Sequence, residues 1–560
     1  MNNIYAERSP EVINCDQGTP GYSFYFALIE PLWKESKAEG AVHRLCSLMR
    51  KMGAKTLVKE YIKPNEEIEN EFEDIQKRIG NKPLKNPEAI RLSFFSSSCP
   101  GKKWRELPES SFLGYAIILK VNLPTDIDNI VKEKTPSGDL VYILEAVTHP
   151  PAWTGQDKNN KWELQRITNY YLHCWKEFKT TIGTRKNFKE FSVTGSFFCQ
   201  QNSLTHVCAH AALRMALNTG EGLIDHKLTN RELNKILGID HESNTVDKGL
   251  SPEQIKHVAK RLDLNVIAGD LREMPTVDYA EYIYPLVESG YPVLISFWPT
   301  HHCGHIIPVI GHTMNSDKWD CEAHLAYRPE AFGTYHASAA WVDHFIINDD
   351  NFGMYTCMPP SYLRNKMLPQ YDATQRAAFV ISFIPKNIDV PPYFAEKAAV
   401  QLISSLSESF SPDINNKWLK RLWEQFKLLN KGVVARTLIC RKDLYINNIM
   451  GQNGIDSNGN GPISTLPREL KDAPEIFWVT EISLPDLYTA NKHKLADILA
   501  DAKAEIVNNN PTLKLIWGWI PGIQIITPTN PTLNACNTWP ITGHVPIIRP
   551  EKALRPYKEW

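Results

Sequence analysis

The chain has 560 residues, 42% of them hydrophobic and 22% charged, too long for one ordinary core and too apolar for a disordered protein. Lys and Arg number 62 against 63 Asp and Glu, so the chain is not organised around phosphate neutralisation and nucleic acid is not an expected partner. Eleven cysteines, odd in number and scattered, make no disulfide framework.

The opening residues MNNIYAERSPEV lack the basic and apolar regions of a signal peptide. No apolar run has the length needed to span a bilayer, so a cytoplasmic protein without membrane contact is expected. Up to about residue 185 the chain mixes a helical segment, EEIENEFEDIQKRIG, with strand-like runs: RLSFFSSS from Arg91, GYAIILKVNLP from Gly114 and LVYILEAVTHP from Leu140. This N-terminal region, residues 1–185, reads as α+β and carries no evident chemistry. Its basic run from Lys158 to Lys189 reads as a solvated surface.

Residues 186–390 form a second block. A helix is expected from Cys208 to near Gly220. Another follows in SPEQIKHVAKRLDL, where Ser251 is the N-cap, Pro252 takes the first helical position and Gln254 completes a capping box. A short strand at Asn265–Ala268 and a helix at Tyr279–Glu288 precede three β-rich runs: YPVLISFW, GHIIPVIGHTM and HFIINDD. Helices therefore come first and an antiparallel sheet afterwards. Residues 391–560 open with the helical YFAEKAAVQLISSL and NKWLKRLWEQFKLL, whose Trp418, Leu419, Leu422, Trp423, Phe426 and Leu429 recur at helical spacing. The strands VVARTLICRK and IFWVTEISLP follow, separated by a loop that holds GIDSNGNGP from Gly454. The likeness of GYAIILKVNLPTD to EIFWVTEISLPDL suggests that the N- and C-terminal regions pack together as one discontinuous α+β domain.

The chemistry concentrates in the middle block. A thiol becomes nucleophilic where a helix N-terminus and an imidazole stabilise its thiolate, and Cys208 stands at a helix start. His305 opens the strand GHIIPVIGH, where a helix-plus-sheet fold brings it to that helix start. Asp349, at the end of FIINDD, is placed to accept the second ring N–H and orient the imidazole. An amide ahead of the nucleophile would hold an oxyanion together with backbone N–H groups: Gln201, with Gln200 and Asn202 as alternatives.

The run from Gln201 to Leu217, the helix GLSPEQIKHVAKRLDL, the strand GYPVLISF, GHIIPVIGH and IINDDNFG, in this order, resemble the papain-like cysteine peptidases. The closest resemblance is to the branch that removes bacteriocin leaders after a double glycine. The resemblance covers about residues 190–360. It implies a papain-like core of helices packed on an antiparallel sheet, with Cys208 as nucleophile, His305 as general base and acid, Asp349 as orienter, Gln201 as oxyanion donor, and neither cofactor nor metal. The branch places Gly and often Pro after the nucleophile, where this chain has Ala209 and His210. It also places its amide six residues ahead of Cys, at Asn202. Asp350 is the alternative orienter.

The expected activity is peptide hydrolysis through an acyl-enzyme, on a protein or peptide substrate, with a regulatory protein partner at the flanking regions. The same triad also serves acyl transfer of the transglutaminase type, and a fold that has lost its chemistry would be a protein-binding module. The run His301, His302, Cys303 and His305, with Cys208, His206 and His210, invites a zinc reading; His206/His210 and His301/His305 have His-x3-His spacing, but no Cys-x-x-Cys pair accompanies them and no metal is expected.

Overall fold

The structure is a computed structural model that describes residues 5–14, 39–80, 83–101, 103–124, 139–151, 170–220, 222–239, 249–273, 278–300, 303–314, 328–330, 333–364, 377–409, 415–427, 432–451, 466–507, 510–526 and 536–549. Helices and several antiparallel sheets make it an α+β protein. Among the described residues no helix is long and apolar enough to cross a membrane. His301, His302 and the GIDSNGNGP loop lie outside the described residues, as do Lys158, Lys161 and Arg166 of the basic run.

The chain divides into two units, the first made of Met1–Asp263, Leu294–Gly311 and Ile346–Met358, the second of Leu264–Val293, His312–Phe345 and Pro359–Trp560. This differs from the expected breaks at 185 and 390, because residues 186–390 contribute to both units. It also corrects the expectation that the N- and C-terminal regions share one domain. GYAIILKVN is a central strand of a five-stranded sheet in the first unit, and IFWVTEIS lies inside an eight-stranded sheet in the second. Two similar central strands share a pattern because both are buried on two faces, and such a pattern carries no information about pairing.

In the first unit, β1 (Glu11–Asn14), β2 (Thr56–Tyr61), β3 (Lys85–Phe95), β4 (Phe112–Asn122) and β5 (Asp139–Thr148) form an antiparallel sheet in sequential order. Helices α1 (Glu39–Lys51) and α2 (Glu66–Ile79) belong to the same unit; Asn65 caps α2 by accepting from Ile68 N–H at 3.0 Å. β6 (Tyr170–Leu172) is followed by the hairpin β7 (Lys176–Thr184) and β8 (Asn187–Gly195). Next come α3 (Cys208–Thr219), α4 (Asn230–Leu237) and α5 (Pro252–Arg261). The capping box of α5 is the expected one, with Ser251 Oγ accepting from Gln254 N–H and Gln254 Oε1 from Ser251 N–H. Four further strands, β9 (Val293–Thr300), β10 (Cys303–Met314), β11 (Val342–Asp349) and β12 (Gly353–Met358), are successive neighbours, and β6 also pairs with β10.

One hydrophobic core joins these parts. Phe94, Ile118 and Ile143 of the five-stranded sheet cluster with Ala211 and Met215 of α3, Ile310 of β10 and Ile346 of β11. The chain leaves β8 through Gly195, where an added Cβ would lie 2.1 Å from Thr148 O, so only glycine allows this approach to β5.

Buried charges fasten α3 to α2. Glu67 and Glu71, one helical turn apart, take Arg214 (Nη2 to Oε1, 2.9 Å) and His206 (Nε2 to Oε2, 3.4 Å). Tyr142 Oη donates to Glu71 at 2.8 Å and Asn230 Nδ2 at 2.9 Å. Burial alone would raise the Glu71 pKa, but the hydrogen bond and charge of His206, with Arg214 and Asn230, lower it to about 2.

In the second unit, Pro392–Ser409 and Lys417–Lys427 are the expected helices, and Leu419, Leu422, Trp423 and Phe426 are core residues. Lys494 is fully buried between Glu481 (2.7 Å) and Asp497 (2.8 Å), and Arg436 joins Glu288 to Glu481. A buried network of this kind is retained only where each charge has a partner.

A carboxylate held at about 2 rather than 4.5 contributes stability above the upper value and loses it as pH falls through the lower one. Glu71→Gln is expected to destabilise the protein by about 3 kcal/mol at neutral pH in urea unfolding. That penalty should shrink toward zero as the pH falls from about 5 to 2.

Candidate active site

The loop ahead of Cys208 is fixed residue by residue. Phe198 and Ala146 exchange backbone hydrogen bonds of 2.8 and 2.9 Å, which lays the segment along β5. Gln200 N–H donates to Ile143 O and Gln200 Oε1 accepts from Ile143 N–H, both at 2.9 Å, while Nε2 donates to Asp350 O at 3.2 Å. Asn202 Oδ1 accepts from Leu204 N–H (3.0 Å) and Thr205 N–H (2.9 Å), and Nδ2 donates to Thr205 Oγ1 at 2.8 Å. This side-chain turn holds Ser203 at φ +60°. His206 Nδ1 then accepts from Asn202 N–H at 3.2 Å.

Cys208 is the first residue of α3 and half-buried. The residue before it, Val207, has no side-chain acceptor to cap the helix. His210 reaches back instead, its Nδ1 accepting from Val207 N–H at 3.4 Å, the return half of a capping box. The imidazole that departs from the leader-peptidase pattern therefore serves the helix start.

His305 and Asp349 meet because β10 and β11 run antiparallel. His344 N–H donates to Thr313 Oγ1 at one end of the pair (3.0 Å), and His305 Nε2 lies 3.2 Å from Asp349 Oδ1 at the other. Asp349 is also held by the N–H groups of Asn351 (2.9 Å) and Phe352 (3.3 Å) on the same oxygen. Asp350 Oδ1 lies 3.7 Å from His305 Nε2, and Phe297 of β9 meets the imidazole edge-to-face at 5.6 Å. Both carboxylates sit on Nε2, and Cys208 is close enough to His305 to help raise its pKa.

Burial opposes the imidazolium, yet the hydrogen bonds to Asp349 and Cys208, with the charges of both aspartates, raise the His305 pKa to about 10. The ring is protonated at neutral pH. Asp350 moves the other way from a usual carboxylate. Its complete burial and the adjacent Asp349 charge raise its pKa to about 7 against the attraction of His305.

Cys208, His305 and Asp349 are thus brought together, and Gln201 reaches the same cluster. Its Nε2 donates to Asn351 Oδ1 at 3.5 Å, the outer limit of a hydrogen bond, and Asn351 Nδ2 is 3.4 Å from His305 Nε2. Gln200 and Asn202, the alternatives for the oxyanion, are buried with both ends of their amides engaged. Gln201 is the amide with an N–H to spare, since only one of its two donors is engaged, and that at the limit of hydrogen-bond length. The sequence reading missed Asn351 and Phe297. Asn351 was signalled by its place after the Asp349–Asp350 doublet, whereas nothing local marks Phe297.

His206 and His210, which the zinc reading needed, are spent on Glu71 and on the helix cap. The ligand atoms of His305, Asp349 and Asp350 lie within 4.8 Å of one another. A separate polar cavity of about 690 Å³ opens in the same unit beside Glu67, Tyr115, Glu145 and Lys227, and neither Cys208 nor His305 lines it. No protein-family model matches the chain, and no curated protein matches it.

Among the described cysteines, Cys199 is raised to about 12 by burial, while Cys357 is exposed. Iodoacetamide at neutral pH is expected to label Cys208 and Cys357 and spare Cys199. In His305→Gln, labelling of Cys208 should fall about tenfold, read by peptide mass spectrometry, with Cys357 unchanged as the internal control.

Proposed function

We propose that the first unit carries a papain-like cysteine peptidase site. The observation that supports this best is the imidazole of His305, 3.2 Å from the buried Asp349 carboxylate and close enough to Cys208 for the thiol to help raise its pKa. In this reading the Cys208 sulfur attacks a peptide carbonyl. Gln201 Nε2 and the backbone N–H of Cys208, one of the first-turn amides that a helix does not satisfy itself, hold the oxyanion. The His305 imidazolium gives its proton to the leaving amine. The neutral ring then takes a proton from the water that hydrolyses the thioester, and Asp349 keeps the ring aligned through both steps. The ordered sequence segments from Gln201 to Gly353 support the same reading.

Purified protein and its Cys208→Ala variant, each incubated with a peptide library, provide the test. Wild type should generate new termini, identified by mass spectrometry, and Cys208→Ala should lose at least about 10³-fold in rate. New isopeptide cross-links without new termini would assign acyl transfer, and neither product would contradict the reading. Gln201→Ala is expected to lower kcat by about 10²-fold while leaving the rate of Cys208 alkylation unchanged, since the amide acts on the oxyanion and not on the thiol.

A further inference from the structure

Resting on the proposed thiol–imidazole site, a second buried carboxylate remains to be explained. Asp350 belongs to the turn after β11, and its side chain is completely buried. Asp349 accepts two backbone N–H groups and the imidazole. Among the described residues neither carboxylate oxygen of Asp350 meets a donor in hydrogen-bonding geometry, the backbone N–H groups of Asp350 itself and Gln201 lying close enough only to lower its pKa, and the imidazole 3.7 Å away is the cation it faces. An ionised carboxylate without donors is costly to bury, so this side chain has a purpose other than packing.

The titratable groups around it come from three elements: His305 on β10, Asp349 on β11, and Cys199 in the segment leading to α3. Cys199 stays a neutral thiol because burial raises it to about 12. The Cys208–His305 pair, with one proton between sulfur and ring, is neutral as a whole. With Asp349 charged and Asp350 charged, the buried cluster would carry two uncompensated negative charges, and with Asp350 protonated it carries one. Two carboxylates also bind the ring proton more tightly than one, which makes the imidazolium a poorer acid toward a leaving amine.

From this geometry we infer that Asp350 is a positioning residue for His305, a second orienter whose ionisation sets how firmly the imidazole keeps its proton. As the neutral acid it leaves Asp349 as the single charged orienter and the imidazolium ready to donate. On ionising it locks the proton on the ring. Cysteine chemistry at this site should therefore respond to pH near neutrality, well below the ionisation of His305.

The rate of Cys208 alkylation by iodoacetamide, followed from about pH 4 to about pH 11 in the full chain, tests this without a known substrate. Wild type is expected to show an inflection near pH 7, where Asp350 titrates, in addition to the ionisation of His305 near 10. In Asp350→Asn the neutral inflection should vanish and the upper ionisation should move down by about one pH unit. Asp349→Asn should keep an Asp350 inflection but move it to lower pH, because the Asp349 charge that raises it is gone. A profile of Asp350→Asn superimposable on wild type would overturn the inference, and so would a wild-type profile without the neutral step, which needs no variant to fold. Should His305→Gln leave the alkylation profile of Cys208 unaltered, the thiol–imidazole reading itself would fail, a result distinct from either of these.

Discussion

The site depends on the register of β10 against β11. His305 stands near the start of one strand and Asp349 at the end of the other, and only antiparallel pairing in this alignment sets the ring 3.2 Å from the carboxylate. A slip of one residue would turn every side chain to the opposite face. The register is held by burial on both sides: Ile307, Val309 and Ile310 of β10 and Phe345, Ile346 and Ile347 of β11 are all buried. Asn348 adds a polar lock, its Nδ2 donating to Ser196 Oγ at 3.1 Å and to Phe197 O at 3.3 Å. The strand that carries Asp349 is thereby tied to the segment that leads to Cys208.

A second constraint fixes the other half of the site. The helix of Cys208 cannot move independently of α2, because Arg214 and the preceding His206 end on Glu67 and Glu71. The Arg214–Glu67 ion pair and the His206–Glu71 contact are buried, so their worth lies in specifying one arrangement more than in adding net stability. The N-terminal region, in which the sequence revealed no chemistry, is therefore the anvil on which Cys208 is held. Its contribution was invisible because Glu67 and Glu71 lie in EEIENEFEDIQ, where acidic residues read as a solvated helix face.

Local features were legible. The capping box at Ser251, the end of the Cys208 helix at Gly220 and the apolar stripe of Lys417–Lys427 follow from patterns a few residues long. The cluster of Cys208, His305 and Asp349 was approachable because each member sits at an element boundary, where a side chain can reach a neighbour. Three other features rest on contacts across a long stretch of chain and leave no local trace. The chain passes between its two units inside β10 and β11, so a linear division at 185 and 390 could not describe it. The choice among Gln200, Gln201 and Asn202 turns on which amides are already satisfied. The distinct surroundings of Asp349 and Asp350 depend on the backbone N–H groups that reach one oxygen and miss the other side chain.

The most direct measurement of this account is the protonation state of one ring. Nitrogen-15 NMR of the imidazoles in the full chain, with His305 assigned by its loss in His305→Gln, reads it over the alkaline range. The account predicts an imidazolium that persists through neutral pH and releases its proton only near 10. A His305 ring that is already neutral at pH 7, titrating near the ordinary value of about 6.5, would contradict it.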